Sequence, residues 1–298
     1  MLKILKRRLK KLVVKLHLNK FTYSKAQKST PYGVLFCALT SLIFMIDLLK
    51  IHSKTITLKI IIMNKTLLNQ QAQSNLWSLS RNTYPGRGII MGIDETGKYA
   101  VQVYWIMGRS PNSRNRIFDL KDGGCLFTAP ADASKVEDPS LIVYLAMAEK
   151  ESIFAVSNGH QTVDALSGDL GNWMYEPDAP HYTPRITGRF DIGETIAAEF
   201  VVFKRSPFSE VCNNATYYLN VSPGLGYCIT TYKGDGDPLP SFEGDPYLLP
   251  LTGDIKEVAE NIWSNLNEPN RVSLAVKFID IKTKTSSVEI INKYSAVQ

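Results

Sequence analysis

The stretch Tyr99–Met107 constrains the fold more than any other part of this chain. Successive side chains of a strand point to opposite faces, so a strand that borders water alternates apolar with polar. Here both sets are largely apolar: Tyr99, Val101, Val103 and Trp105 on one side, Ala100, Tyr104 and Ile106 on the other, where Gln102 is the polar exception. Such a strand is covered on both faces, and the chain must supply layers above and below its sheet. Ile89–Ile93 precedes it across Asp94-Glu95-Thr96-Gly97-Lys98, a turn-forming cluster that predicts a hairpin. A second hairpin is expected from Leu141–Met147 and Ser152–Val156, turning at Glu149-Lys150-Glu151. Thr195–Phe203, Tyr227–Tyr232, Leu274–Ile281 and Ser287–Ile291 read as further strands, the last two paired.

Helices are few. Asp254 is placed to cap a helix running to Leu266, with Glu257 three residues on as in a capping box. Ile255, Val258, Ala259, Ile262, Trp263 and Leu266 form its apolar stripe. Thr162–Leu170 reads as a shorter helix, and the Pro/Gly-rich stretch 233–250 as one long loop, a lid or rim. Sheets covered on the outside by helices give an α+β layered domain.

Charge divides the chain. Of 34 Lys/Arg and 28 Asp/Glu, the first 62 residues hold 13 basic side chains and one acid, Asp47, which leaves 21 against 27 beyond them. The body, 63–298, is therefore acidic. No nucleic-acid partner is expected, and any anion it binds must be held by a local cluster of cations. Residues 1–62 combine a basic amphipathic pattern over 2–18 with a 17-residue, largely apolar run from Gly33 to Leu49. As a signal-anchor this run would tether the body to a membrane. As translated upstream sequence it would leave Met63 as the start, and that is the expectation adopted. The domains are then a basic, apolar extension over 1–62 and one folded domain over 63–298. Cys37, Cys125, Cys212 and Cys228 form no CxxC pair, which points to reduced thiols and a cytoplasmic setting. With only His160 and His181 in the body, no metal site is expected.

Polar motifs cluster in four places. Arg109-Ser110-Pro111-Asn112-Ser113-Arg114-Asn115-Arg116 follows the doubly covered strand. Guanidinium forks interleaved with hydroxyls and amides suit a phosphate monoester, although a solvated basic turn has the same composition. Tyr84-Pro85-Gly86-Arg87-Gly88 permits close backbone approach but has neither the length nor the Lys-Ser/Thr pair of a P-loop. Ser157-Asn158-Gly159-His160-Gln161 leads into a helix, where Asn158 and His160 are placed to hold a carboxamide or simply to make a turn. Tyr175-Glu176-Pro177-Asp178 and Tyr182-Thr183-Pro184-Arg185 offer a general base in Glu176 and an anion contact in Arg185, or a Pro-rich surface loop. No nucleophile stands out. These residues alone support a cofactor-free site for a small phosphorylated molecule.

Taken in order, these blocks resemble the archaeal-type IMP cyclohydrolases and their bacterial relatives. They are Tyr84-Pro-Gly-Arg87-Gly, Val103-Tyr-Trp-Ile-Met-Gly-Arg109-Ser110-Pro-Asn112-Ser-Arg114-Asn-Arg116, Val156-Ser-Asn158-Gly159 and Tyr182-Thr183-Pro184-Arg185-Ile186. The chain departs from the archaeal pattern at Pro85, in the additional Arg116 and in the length of the 233–250 loop, which marks a bacterial branch. The resemblance implies a four-layered αββα sandwich like that of the N-terminal-nucleophile hydrolases, used without such a nucleophile. It implies dehydrative closure of 5-formamidoimidazole-4-carboxamide ribotide to IMP, with no cofactor and with a homo-oligomer compatible. Carried over on these motifs, Glu176, Arg109 and Tyr144 would be catalytic. Arg87, Ser110, Asn112, Arg114, Arg116, Asn158, Gly159, His160, Thr183 and Arg185 would contact the ribotide. Two alternatives stand beside this: another hydrolase acting on a phosphorylated amide, and a non-catalytic nucleotide-binding module.

Overall fold

The computed structural model describes residues 63–136, 139, 142–193 and 196–296. The basic and apolar segments read in 1–62, including the proposed anchor, lie outside the described residues. Among those described, no helix is long and apolar enough to cross a membrane. Leu67–Gln298 forms one unit by its contacts and is the part considered below.

Among the described residues, thirteen strands form two antiparallel sheets. The first has six strands, in the order β11 (Tyr247–Pro250), β10 (Leu225–Thr230), β1 (Gly88–Ile93), β2 (Tyr99–Met107), β12 (Arg271–Asp280) and β13 (Ser286–Asn292). The second runs in sequence order through β3 (Ile117–Lys121), β4 (Cys125–Ala129), β5 (Leu145–Lys150), β6 (Ile153–Ser157), β7 (Arg185–Asp191), β8 (Ala197–Arg205) and β9 (Cys212–Asn220). The helices are α1 (63–81), the four-residue α2 (Pro111–Arg114), α3 (Thr162–Ser167) and α4 (Ile255–Asn265).

The two faces of β2 explain the layering. Ala100, Tyr104 and Ile106 join Ile89 and Met91 against Phe154, Phe190 and Phe200 of the second sheet. Val101, Val103, Trp105 and Met107 turn the other way, under Leu76 and Leu79 of α1 and Val258, Ala259 and Ile262 of α4. Each such side chain fully removed from water contributes about 1.5–3 kcal/mol, so both faces of β2 drive the assembly. The Asp254 carboxylate accepts from the amides of Lys256 and Glu257, and Glu257 returns a bond to the Asp254 amide, as the capping box predicts. The second sheet has less helical cover. α3 packs against β5, β6 and β7, while Tyr218 on β9 stays 73 % exposed.

Several expectations shift. Ile142–Tyr144 does not start a strand, because the amides of Ile142 and Val143 both turn back to the Pro139 carbonyl. β5 therefore begins at Leu145 and runs through Glu149 and Lys150, and the chain reverses at Glu151, whose φ is 57°. α3 stops at Ser167, where Gly168 closes it in the left-handed conformation, short of Leu170. The 233–250 segment contains β11 and a bridge between Tyr232 and Ser241, so the true loop is shorter. Helix α1 was not foreseen: its buried seam is only Ala72, Leu76 and Leu79, set among polar and amide side chains.

Candidate active site

The site lies where several strands end together. β1 begins, β2 ends, β10 ends and β7 begins at this edge of the two sheets. The peptide groups of Arg87 and Thr231 lock two of these ends: the Thr231 amide donates to the Arg87 carbonyl at 2.8 Å, and the Thr231 hydroxyl accepts from the Arg87 amide at 3.1 Å. Gly86 makes this approach possible. Its φ is +74°, and a Cβ there would sit 2.2 Å from the Thr231 hydroxyl.

After β2 the chain reverses through α2. Ser110 caps it and Ser113 returns the bond, with Pro111 at the first helical position. This tight turn separates the three guanidiniums of the 109–116 run. Arg109 and Arg116 face a cavity of about 240 Å³ together with Arg87, Ser110 and Thr183. Arg114 does not line it. Its Nε donates to the Gly108 carbonyl at 3.0 Å and its Nη2 to Asn270 Oδ1 at 3.1 Å, so it ties the turn to the start of β12. Asn112 also stays within the α2 turn, off the cavity wall.

The three cavity arginines differ in their counter-charges. Arg87 Nη1 donates to both oxygens of Glu176, at 3.3 and 3.4 Å, with both side chains largely buried. Burial is the largest influence and would depress its pKa, but Glu176, Tyr144, Tyr104 and Tyr232 together outweigh it, and the group stays firmly charged. Arg116 is 4 % exposed, and no carboxylate among the described residues lies within ion-pair distance. Its Nε donates to the Ser113 carbonyl at 2.9 Å. Burial, and then repulsion from Arg87, lower its pKa. Arg109 is more exposed; it stacks over Tyr84 at 5.0 Å and donates to Asp235 Oδ1 at 2.5 Å and to the Gly236 carbonyl at 3.0 Å.

The opposite wall is neutral or acidic. The Thr183 hydroxyl bonds both the Asp178 carboxylate and the Tyr232 hydroxyl, the latter at 2.5 Å. His181 Nδ1 accepts the Leu239 amide at 3.1 Å, which leaves Nε2 to carry the ring's proton. Sequence reasoning passed over Asp178, His181, Tyr232 and Leu239. The first two sit inside the Tyr175–Arg185 motif, but nothing in the local pattern marks Tyr232 or Leu239, which arrive from about 50 residues away.

Behind the wall lies a second row of polar groups. Glu176 is 6 % exposed and faces Arg87 and, at 3.8 Å, Arg185. Arg185 also donates to Gln161 Oε1 at 3.2 Å and lies over the Trp173 ring; burial lowers its pKa, opposed by Glu176. Gly159 permits this, since a Cβ there would stand 2.3 Å from Arg185 Nη1. Asn158 is fully engaged by the chain: its amide donates to the Pro184 carbonyl at 2.9 Å, and its oxygen accepts from the Ile186 amide and Gln161. It pins the end of β6 to the start of β7. Tyr144 and Tyr104 share a 2.7 Å hydroxyl bond in the core near Arg87 and Arg116, and burial holds the Tyr104 phenol protonated. His160 is exposed, with its ring edge-on to Tyr144 at 6.2 Å.

The sequence profile of the IMP cyclohydrolase-like protein family matches residues 84–284 and so takes in every side chain that lines this cavity. The chain belongs to the IMP cyclohydrolase-like family. No curated protein matches it. The family span starts at Tyr84, after α1, and includes the loop that carries Asp235 and Leu239. Among the described residues of this family member, no group of three or more His, Cys, Asp or Glu side chains is placed to hold a metal ion. Cys125, Cys212 and Cys228 form no disulfide, and burial pushes the Cys228 thiol up to about 12.

Proposed function

We propose that this chain is a cyclohydrolase that closes 5-formamidoimidazole-4-carboxamide ribotide to IMP and water, as the family name suggests. The observation that carries the reading is the buried Arg116, a cation without a carboxylate partner among the described residues, beside Arg87 and Arg109 on one cavity wall. A phosphate monoester supplies the charge that this wall lacks, and guanidinium forks match its oxygens. The same reading takes the two facing sheets as the αββα arrangement of the N-terminal-nucleophile hydrolases, with α3 standing for the thinner helical layer.

Ring closure needs the weakly nucleophilic carboxamide nitrogen to meet the formyl carbon of the same molecule. Well-oriented intramolecular reactions reach effective molarities of about 10⁵ M or more, so orientation does most of the work. In this reading Arg87, Arg109 and Arg116 fix the phosphate, and Ser110 adds a hydroxyl contact. Thr183, Tyr232 and the neutral His181 ring hold the carboxamide and the developing oxyanion at the other end. The carboxamide nitrogen bonds to the formyl carbon and gives up one proton to the formyl oxygen, which forms a carbinolamine. The carbon–oxygen bond then breaks, the former formamido nitrogen gives up the second proton, and water leaves as the ring carbon–nitrogen double bond forms. The Tyr104–Tyr144 pair supports Arg87 and Arg116 from behind.

Glu176 is assigned to holding Arg87 and Arg185 in place, because it stands behind the cavity wall. Glu176→Gln is expected to lower kcat/KM about tenfold, mostly through KM, since glutamine keeps a hydrogen bond but loses the charge. A fall in kcat of about 10²-fold or more at unchanged KM would instead put Glu176 in direct proton transfer. The deciding experiment for the whole reading is to incubate the purified protein with the formylated ribotide and follow IMP formation. No turnover above the uncatalysed rate would reject it.

A further inference from the structure

Two of the three cavity arginines are matched by carboxylates, and those are of different origin. Glu176, the partner of Arg87, belongs to the buried frame. Asp235, the partner of Arg109, comes from the loop after Tyr232. In that pair both side chains are about a third or more exposed, at 34 % and 44 %. The loop closes on itself through the Lys233 amide and the Pro240 carbonyl, at 3.0 Å. From there it reaches two cavity side chains: Arg109, through Asp235 and the Gly236 carbonyl, and His181, through the Leu239 amide.

We infer that Asp235 is a built-in competitor of the phosphate at this site, holding, when no ligand is bound, the Arg109 donors that a phosphate monoester takes on binding. This rests on the phosphate-binding reading above. Carboxylate and phosphate compete for the same planar donor edge of a guanidinium. With Arg87 matched by Glu176 and Arg109 by Asp235, Arg116 is the uncompensated cation among the described cavity residues. Asp178 stands on the opposite wall, where Thr183 donates to both of its oxygens through its amide and its hydroxyl, and it makes no ion pair with a cavity arginine among the described residues. Displacing Asp235 frees a second cation. A phosphate monoester carries close to two negative charges at neutral pH and so fills both positions. A neutral ligand gains nothing by the exchange. An exposed ion pair is also weak enough to be exchanged on every binding event.

The test titrates the full chain with IMP and with inosine, which lacks the phosphate, by calorimetry at low salt. The proteins compared are the wild type, Asp235→Asn, Arg109→Met and the double variant. Asp235→Asn is expected to bind IMP about two- to fivefold more tightly, the range that loss of an exposed ion pair allows. Inosine binding is expected to be unchanged, and the gain with IMP to vanish in the Arg109→Met background. Unchanged or weaker IMP binding by Asp235→Asn overturns the inference, and so does an equal gain with inosine or one that persists without Arg109. In those cases a wild type that still prefers IMP over inosine leaves the phosphate reading standing. If no protein prefers IMP over inosine, the phosphate reading falls and the inference with it.

Discussion

Arg116→Met is expected to lower kcat/KM about 10²–10³-fold while the protein stays folded and becomes no less stable. The two halves of this result have one cause. A guanidinium at 4 % exposure has given up most of its hydration, and no described carboxylate repays that loss. The folded protein therefore carries a buried charge that an apolar side chain of similar length would relieve. A bound phosphate supplies the missing partner, and removing one such charge-assisted contact from a desolvated site costs roughly 3–4 kcal/mol of binding or transition-state stabilisation. Steady-state kinetics together with the melting temperature check both halves. Normal kinetics, or a large drop in stability, would mean that Arg116 serves the fold and not a ligand.

The second large effect is on stability. Lys277 on β12 is fully buried, and its Nζ donates to Glu149 Oε2 at 2.6 Å and to the Gly124 carbonyl at 2.8 Å. Glu149 lies on β5, so this pair ties the two sheets together away from the cavity. Ser286 also donates to Glu149, at 2.9 Å. Glu149→Ala strands an ammonium in the interior, and breaking a buried pair this way costs about 3–5 kcal/mol. The lower end of that range is expected here, because the Gly124 carbonyl still accepts from Nζ. Lys277→Met strands much less: Glu149 keeps 24 % of its side-chain surface exposed and its Ser286 bond. It is expected to cost about 1 kcal/mol. Urea unfolding of the two variants gives the order directly, and a larger loss for Lys277→Met would show that the ammonium, not the carboxylate, is the well-solvated partner.

The two sets of predictions separate what can be read along the chain from what cannot. Tyr99–Met107 showed by its two apolar faces that it must be covered twice, because a strand's period is set by covalent geometry. Asp254 and Glu257 marked the start of α4 because capping is local. The arginine-rich turn likewise stood out as a place for an anion. Which of its arginines faces the cavity did not, since Ser110 and Ser113 wind four residues into a turn that sends Arg114 to Asn270 and Arg116 inward. Arg87 and Glu176 are 89 residues apart and become a pair only when β1 and the start of β7 meet at one edge. Asn158 could be read from sequence as a carboxamide contact or a turn residue; that it clasps β6 to β7 depends on backbone partners that sequence does not locate. Periodicity, capping and motif chemistry belong to the chain itself, since they depend on neighbours a few residues away. The cavity, its counter-charges and the intruding Asp235 belong to the tertiary structure, since they depend on which distant strand ends come together and how much water they exclude.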